Sequence, residues 1–349
     1  MKKKILMRGN EAVGEAAILA GCRAYFGYPI TPQNEIPEYM SVRLPEVGGV
    51  FLQAESEIAA ISMVLGAAAS GARAMTSSSS PGMALKQEGI SYISGSQLPC
   101  VVVNMMRGGP GLGNIAGAQS DYYQATRGGG NGDYNSIVLA PGNVQELADY
   151  TIKAFELADK YRVVSIVLGD GYLGQMSEPI VLPDPVKSLP EKTWALTGAK
   201  ARDPKTIASL RLSPENYLEQ HNIVLQKVYS EIEKNEVIFE SFMTDDADYL
   251  IVAYGTCSRI CRQAVKLLRN SGIKAGLFRP ITLWPFPSEE IAKLAKKAKK
   301  ILAVEMSMGQ MVDDVRLSVG CNSQVDFYGR AGGMIPEIEK IVERVKRYE

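Results

Sequence analysis

Residues 72–106 read ARAMTSSSSPGMALKQEGISYISGSQLPCVVVNMM, and the fold turns on this stretch. A short apolar run, Ala72–Thr76, passes through Ser77–Ser80 into Pro81-Gly82. A helical segment follows and leads to Cys100–Met106, a nearly unbroken apolar run rich in valine. Strand, loop, helix, strand in that order is the grammar of a parallel sheet covered on both faces. Continuous valines, rather than alternation, call for burial on both sides of the strand.

The same grammar repeats outward from this stretch. Upstream, Ala24–Tyr28 reads as a strand ending at Pro29, and Thr31 before Pro32 predicts a helix start with Thr31 as N-cap. Val50–Gln53 predicts a second strand, and the alanine-rich 3.6-residue pattern of Glu57–Ser70 predicts a helix. Downstream, a helix is expected from about Val144 to Lys160, then a buried strand, Val163–Leu168, ending in GDGY. Residues 1–186 therefore read as one α/β domain. Residues 187–244 change character, with KSLPEK, RDPK and a polar helix expected from about Pro214 to Phe242, and read as a connecting segment. Residues 245–349 predict a second α/β unit, with strands at Tyr249–Ala253, Ala275–Phe278, Ile301–Val304 and Gln324–Tyr328. Its helices are expected over Arg259–Ser271, over Ser288–Lys299 and from Pro336 onward, and RPITLWPFP at 279–287 reads as a proline-rich loop.

Length and composition agree. The chain has 349 residues, enough for two domains, with 46% hydrophobic and 22% charged residues. Lys+Arg and Asp+Glu balance at 38 each, so no nucleic-acid or membrane-surface partner is expected. The opening MKKKILMRGNEA lacks the long apolar run of a secretory signal, and a cytoplasmic protein is expected. Five scattered cysteines, Cys22, Cys100, Cys257, Cys261 and Cys321, imply neither a disulfide framework nor a four-cysteine iron–sulfur site, and read as small buried apolar residues. The single histidine, His221, reads as a solvated helix position. With one histidine there is little material for a Ser-His-Asp hydrolase or a histidine-rich metal site, and no metal ligands are assigned to this chain.

Parallel sheets hold ligands at the carboxyl ends of their strands. By that rule the loops YPITP, TSSSSPG, RGGPGLG and GDGY should share one rim with the start of the Glu57 helix. Arg107 follows a buried strand and precedes Gly108-Gly109-Pro110. Two readings stand for it: a fork for a carboxylate, or an ion pair at a strand end. Thr31 offers a hydroxyl at an expected helix start, either for an anion or as an ordinary cap. Glu57 heads a helix that is otherwise nearly all apolar, which suits a carboxyl that shares a proton with a ring nitrogen, while Glu55 competes with it. A helix-start acid that stabilises the dipole is the plain alternative for both. GDGY alone is an ordinary strand-end turn. Neither RGGPGLG nor GRAGG has the spacing of a dinucleotide fingerprint, which excludes a nicotinamide site.

Taken together, GYPITPQNE, ESEIAAISMVLGAAASGARAMTSSSSPG, VVVNMMRGGPG, YLIVAYGTCSR and LFRPITLWPFP resemble the alpha chain of 2-oxoacid:ferredoxin oxidoreductases, in order and through both domains. LMRGNEA, KQEGISY and GGGNGDY look like the 2-oxoisovalerate (3-methyl-2-oxobutanoate) branch, with the 2-oxoglutarate branch as near neighbour, and the same reaction on 2-oxoglutarate or pyruvate is the alternative. The connecting segment at 187–244 carries the weakest resemblance. The resemblance implies a pyrimidine-binding domain for thiamine diphosphate followed by a transketolase C-terminal-like domain. It implies Glu57 as the carboxyl that meets the aminopyrimidine, the nine-residue distance from Glu57 to Gly66 matching the family pattern. It implies Thr31 and Arg107 as holders of the substrate's carboxylate and carbonyl, with Pro29, Ile30 and Ser79 completing the cofactor-binding set. The thiazolium would serve as electron sink for decarboxylation, electrons would leave singly to iron–sulfur clusters, and coenzyme A would take the acyl group. The diphosphate, Mg2+ and [4Fe-4S] clusters would be held by a beta subunit and a ferredoxin-like subunit, with a gamma subunit completing the complex of this anaerobic type of metabolism. Two other readings are weighed. A transketolase- or deoxyxylulose-type fragment is disfavoured by the lone histidine. A non-catalytic nucleotide- or acyl-CoA-binding assembly module would not bind thiamine diphosphate.

Overall fold

The computed structural model describes residues 4–200 and 202–348; Lys2 and Lys3 of the opening basic run lie outside them. In chain order the first half contains β1 (Ile5–Arg8), α1 (Gly9–Leu19), β2 (Ala24–Gly27), α2 (Glu35–Glu46), β3 (Val50–Gln53), α3 (Glu57–Ala69), β4 (Ala74–Ser78), α4 (Ser80–Gly95), β5 (Cys100–Met106), α5 (Tyr122–Arg127), β6 (Ile137–Leu139), α6 (Val144–Tyr161), β7 (Val164–Asp170), α7 (Gly171–Gln175) and β8 (Ser177–Ile180). The second half continues with α8 (Tyr217–Asn235), β9 (Phe239–Phe242), β10 (Tyr249–Val252), α9 (Gly255–Asn270), β11 (Ala275–Pro280), β12 (Thr282–Trp284), α10 (Ser288–Ala295), β13 (Lys300–Glu305), α11 (Met311–Val319), β14 (Gln324–Gly329) and α12 (Ile338–Lys346).

The first sheet has seven strands in the order β12-β6-β7-β5-β4-β2-β3. All its pairings are parallel except that of β12 with β6. Every residue of β5 and β7 is buried, as the unbroken apolar runs require. Helix α1 packs against α2 and α6, and α3 packs against α4. From β2 the chain moves outward to β3, then crosses back over β2 to β4 and onward to β5. The strand order thus reverses between β2 and β4, where the loops after these two strands diverge and leave a crevice.

The second sheet has the order β14-β13-β10-β11-β9, parallel except for β9 against β11. A separate antiparallel pair joins β1 to β8. Two elements depart from expectation. The polar helix α8 stops at Asn235 instead of reaching Phe242, because Phe239–Phe242 is a strand that pairs with Leu277–Pro280. Within RPITLWPFP, Thr282–Trp284 is also a strand: it leaves the second sheet and closes the edge of the first beside Val138 and Leu139. The two halves therefore exchange edges. Between them Gln119 donates from Nε2 to the Tyr254 carbonyl at 2.9 Å and accepts from the Met306 N–H at 3.0 Å, and the Tyr122 and Tyr254 rings lie 5.8 Å apart.

Residues 181–200 and 202–216 carry no helix or strand. They run as a strap over the first domain, pinned where the Val186 N–H meets Leu19 O at 2.8 Å and the Leu196 N–H meets Ala69 O at 2.9 Å. The Arg162 guanidinium stacks 4.5 Å from the Trp194 ring. His221, expected in solvent, is buried instead: its Nε2 lies 2.8 Å from Gly95 O, packing α8 onto the end of α4. Four of the five cysteines are buried as expected, but Cys321 is exposed in the turn after α11. No helix among the described residues is long and apolar enough to cross a membrane.

Candidate functional site

The crevice between β2 and β4 is built from three chain turns. The first follows β2. Thr31 does not cap a helix here, because α2 begins only at Glu35. The physical reason is that the Pro32 carbonyl, which would accept an early helical bond, is claimed by Asn10 Nδ2 at 2.8 Å and Gln175 Nε2 at 3.0 Å. A turn closes instead from the Gln33 N–H to Ile30 O at 3.1 Å, and the next helical bond starts from Gln33 O. Pro29 and Thr31 are exposed on this turn and Ile30 is half-buried. Gln33, to which the sequence reading gave no role, is fully buried, with Oε1 accepting from Ser77 Oγ and Nε2 unpartnered.

The second turn follows β3. Ser56 takes the N-cap of α3 in extended conformation and accepts from the Ala59 N–H at 3.2 Å. That geometry turns the two competing carboxylates apart: Glu55 is exposed, whereas Glu57 is only 6% exposed. No hydrogen bond reaches the Glu57 carboxyl from the described residues. It lies over Gly82, in the first turn of α4, where a Cβ would stand 2.5 Å from Glu57 Oε1 and 2.2 Å from Ser78 Oγ. Glycine at 82 is what lets the carboxyl and the serine enter this space.

The third turn follows β4. Ser78 and Ser79 are fully buried, yet neither hydroxyl has a hydrogen-bond partner among the described residues, and Ser79 sits at the N-cap of α4 without capping it. The first helical residue, Ser80, is engaged: its Oγ donates to Asp121 Oδ2 at 2.6 Å and accepts from the Arg107 N–H at 3.0 Å. Burial holds the Asp121 carboxyl above the usual carboxylate range, against the lowering effect of Ser80 and Asn104.

Arg107 ties the first turn to the loop after β5. Its side chain is buried, with Nη1 donating to Thr31 O at 2.9 Å and Nη2 to Leu112 O at 3.0 Å, while Nε is unpartnered. It therefore bonds two carbonyls and makes no ion pair among the described residues. The loop it holds exposes Leu112 and Ile115, at 81% and 65%, and Asn114 reaches the second half through Gly332 O at 2.7 Å. GDGY borders this cluster: a Cβ at Gly171 would stand 2.7 Å from Pro32 Cγ. Asp170 is fully enclosed, caps α7 from Oδ1 to the N–H groups of Tyr172 and Leu173, and accepts from Thr256 Oγ1 at 2.6 Å. Burial raises its carboxyl, opposed by Thr256 and the backbone N–H groups. It is a joint between the halves.

The structure thus brings Thr31 and Arg107 into direct contact, and gathers Ser79 beside Ser78, Gly82 and Glu57. Four buried polar atoms without partners, Ser78 Oγ, Ser79 Oγ, Gln33 Nε2 and Arg107 Nε, belong to this rim. Buried polar groups are nearly always hydrogen-bonded, so such a concentration marks a place where a polar ligand completes the pairing. Ser78 and Gly82 belong to the TSSSSPG loop expected on this rim, but only the fold singles them out, with Gln33, from their neighbours.

Residues 15–245 match the family of pyruvate flavodoxin/ferredoxin oxidoreductase thiamine diphosphate-binding domains, and residues 247–341 match core domain II of pyruvate:ferredoxin oxidoreductase. The chain is 49% identical to ketoisovalerate oxidoreductase subunit VorB of Methanothermobacter marburgensis, covering 98% of this chain and 97% of that one. Among solved structures, a 2-oxoglutarate:ferredoxin oxidoreductase from Magnetococcus marinus, determined with 2-oxoglutarate, coenzyme A and succinyl-CoA bound, superposes with a TM-score of 0.90 at 31% identity. That match covers 99% of this chain but 65% of the other, which is longer. A split-gene transketolase, described as an inactive beta4 tetramer, shares the fold at a TM-score of 0.61 and 14% identity over 98% of both chains. A thiamine diphosphate-binding domain covering two thirds of the chain, with a second core domain behind it, makes this chain a member of the 2-oxoacid:ferredoxin oxidoreductase family.

Proposed function

We propose that the chain is the subunit of a 2-oxoisovalerate:ferredoxin oxidoreductase that holds the pyrimidine end of thiamine diphosphate. The complex would convert the 2-oxoacid and coenzyme A to acyl-CoA and CO2, passing two electrons one at a time to ferredoxin. The observation that carries this reading is the Glu57 carboxyl, 6% exposed and without a hydrogen-bond donor among the described residues, lying over a glycine that leaves room for it. The residues present fit the cofactor. Glu57 supplies an oxygen for a ring nitrogen, and the unpartnered Ser78, Ser79 and Gln33 supply hydrogen-bonding groups for an aminopyrimidine edge. When bound, thiamine diphosphate provides the carbanion that adds to the 2-oxo carbon and the electron sink for loss of CO2.

The chain's own part is then to orient and to move a proton. Glu57 shares a proton at its carboxyl oxygen. Arg107 and Thr31 hold the substrate's carboxylate and carbonyl, with Arg107 Nε the donor still open for it. Pro29 and Ile30 shape the turn that carries Thr31. Leu112 and Ile115, exposed on the loop that Arg107 anchors, suit an aliphatic side chain better than the second carboxylate of 2-oxoglutarate. The diphosphate with its Mg2+ is assigned to a beta subunit. The [4Fe-4S] clusters are assigned to that subunit and a ferredoxin-like subunit, with a gamma subunit completing the assembly. A docking face for such a partner is available on α3, where Ile58, Ser62 and Gly66, four residues apart on one side, are all exposed.

The test is co-purification of the complex followed by a panel of 2-oxoacids, read by reduction of ferredoxin or a viologen in the presence of coenzyme A. The fastest turnover is expected with 2-oxoisovalerate. A faster rate with 2-oxoglutarate or pyruvate would overturn the substrate assignment. Failure of the complex to bind thiamine diphosphate would instead favour a non-catalytic assembly module.

A further inference from the structure

One helical turn beyond Gly82 lies a buried cation. Lys86 of α4 is fully buried, and among the described residues its Nζ donates to a single hydrogen-bond partner, Thr76 Oγ1, at 3.0 Å. An ammonium carries three donors, and burying its charge is costly unless an opposite charge stands near. Lys86 follows Gly82 by four residues, so the two share one face of α4. Side chains on a helix lean toward its N-terminus, which carries the Lys86 stem back toward Gly82. The Glu57 carboxyl occupies that same space. The Glu57 charge opposes the effect of burial on the Lys86 ammonium.

The other titratable groups around this point are engaged or remote. At the first turn of α4, Asp121 and Arg107 are both bonded to Ser80. Tyr25 on β2 is bonded to Ser77 at 2.6 Å, and Glu88 accepts from Tyr92 on the outer side of α4. β5 brings the Cys100 thiol, which burial pushes up to about 12, and β7 ends in Asp170, held by Thr256. The loop over the end of α4 brings Tyr134, whose hydroxyl accepts from the Gly130 N–H. Among titratable groups α3 contributes Glu57 alone, and β4 contributes none.

We propose that Lys86 is a positioning residue for Glu57, its buried charge drawing the carboxyl into the space over Gly82 where it would meet the cofactor. This rests on the role given to Glu57 above. Burial pushes the Lys86 ammonium down to about 8, with Glu57 opposing that shift. The ammonium is therefore present at neutral pH and is lost as pH rises through about 8.

The experiment uses the assembled complex stripped of cofactor, with thiamine diphosphate binding measured between pH 6.5 and 9.5 at fixed Mg2+. In the parent complex affinity should fall above about pH 8. Lys86→Met should bind roughly tenfold more weakly at pH 7 and should lack the alkaline limb. Lys86→Arg, whose guanidinium stays charged, should also lack that limb while keeping part of the pH 7 affinity. Where the methionine variant fails to assemble, the arginine variant carries the test by its flat profile. In a Glu57→Gln background, Lys86→Met should change binding less than about twofold, because the carboxylate it serves is gone. A parent-like pH profile in both Lys86 variants would overturn the proposal. So would an equal loss in both backgrounds, which would mark Lys86 as purely structural. Parent-level turnover in Glu57→Gln alone would overturn the role of Glu57 instead, so the two failures are distinguishable.

Discussion

Glu57 is enclosed because Ser56 caps α3, and because Gly82 leaves a gap that any Cβ would fill. Both halves of that statement can be tested by single substitutions. Glu57→Gln keeps the size and removes the shareable proton, so the complex should assemble with an unchanged unfolding midpoint while turnover falls by at least about 100-fold, in the range of general acid–base contributions. Steady-state viologen reduction measures this, and parent-level turnover would exclude the role. Gly82→Ala should be informative in the opposite sense. Alanine favours a helix over glycine by about 1 kcal/mol, so helix propensity alone predicts a gain in stability. The added Cβ would instead stand 2.2 Å from Ser78 Oγ and 2.5 Å from Glu57 Oε1, and one of them must move. The expected outcome is a lower thermal midpoint together with weakened thiamine diphosphate binding. A stabilised variant with parent affinity would show that the carboxyl does not depend on this gap.

Each element stands where local rules put it when its partners are local, and departs when a distant partner claims a group. The parallel strands β4, β5 and β7 and the helices α3 and α6 were legible because their burial is written in their own residues. The turn at Thr31 was misread because Asn10 and Gln175, far away in sequence, take the Pro32 carbonyl. Strand β12 hid between prolines in a stretch that looks like a loop, since its reason to be extended is the edge of β6 in the other half. For the same reason β9 was absorbed into the helix before it. At the site, Glu57, Arg107 and the turn carrying Thr31 could be picked out by chain position, but Ser78, Gln33 and Lys86 acquire meaning only once β4 and α4 are placed beside α3. Another such long-range pairing, Thr256 at the start of α9 with Asp170 at the end of β7, carries its own prediction. Thr256→Val keeps the shape and removes the hydroxyl, leaving a buried carboxyl short of one partner. A loss of about 1–3 kcal/mol in stability is expected, seen as a lower denaturation midpoint. Thr256→Ser, which restores the donor, should recover most of it. Equal midpoints for Val and Ser would show that the bond contributes nothing.

At the scale of the whole molecule, the exchange of edges makes the two halves mutually dependent despite their separate sheets. Strand β12 covers β6, whose three residues Ile137, Val138 and Leu139 are fully buried, and Leu283 and Trp284 complete that edge, with the Trp284 ring 5.7 Å from Tyr229 on α8. In the other direction, β9 belongs to the second sheet although it precedes β10, and the Phe239 ring stacks on Phe278 at 5.2 Å. Charge reinforces the joint: Arg279, buried in β11, pairs with Glu146 on α6 and at 3.3 Å with Glu240 on β9. A fragment of residues 1–245, the natural cut if the two family matches were independent folding units, would therefore keep β9 without its sheet and β6 without its cover. Exposed strand edges flanked by apolar side chains pair with other chains. The expected outcome is that this fragment aggregates when produced alone, and that β6 and β12 in the intact chain show equal protection in hydrogen exchange. A soluble, monodisperse fragment with the circular dichroism of a folded α/β domain would show that the first half stands by itself, and that the exchanged strands join the halves without being needed to fold them.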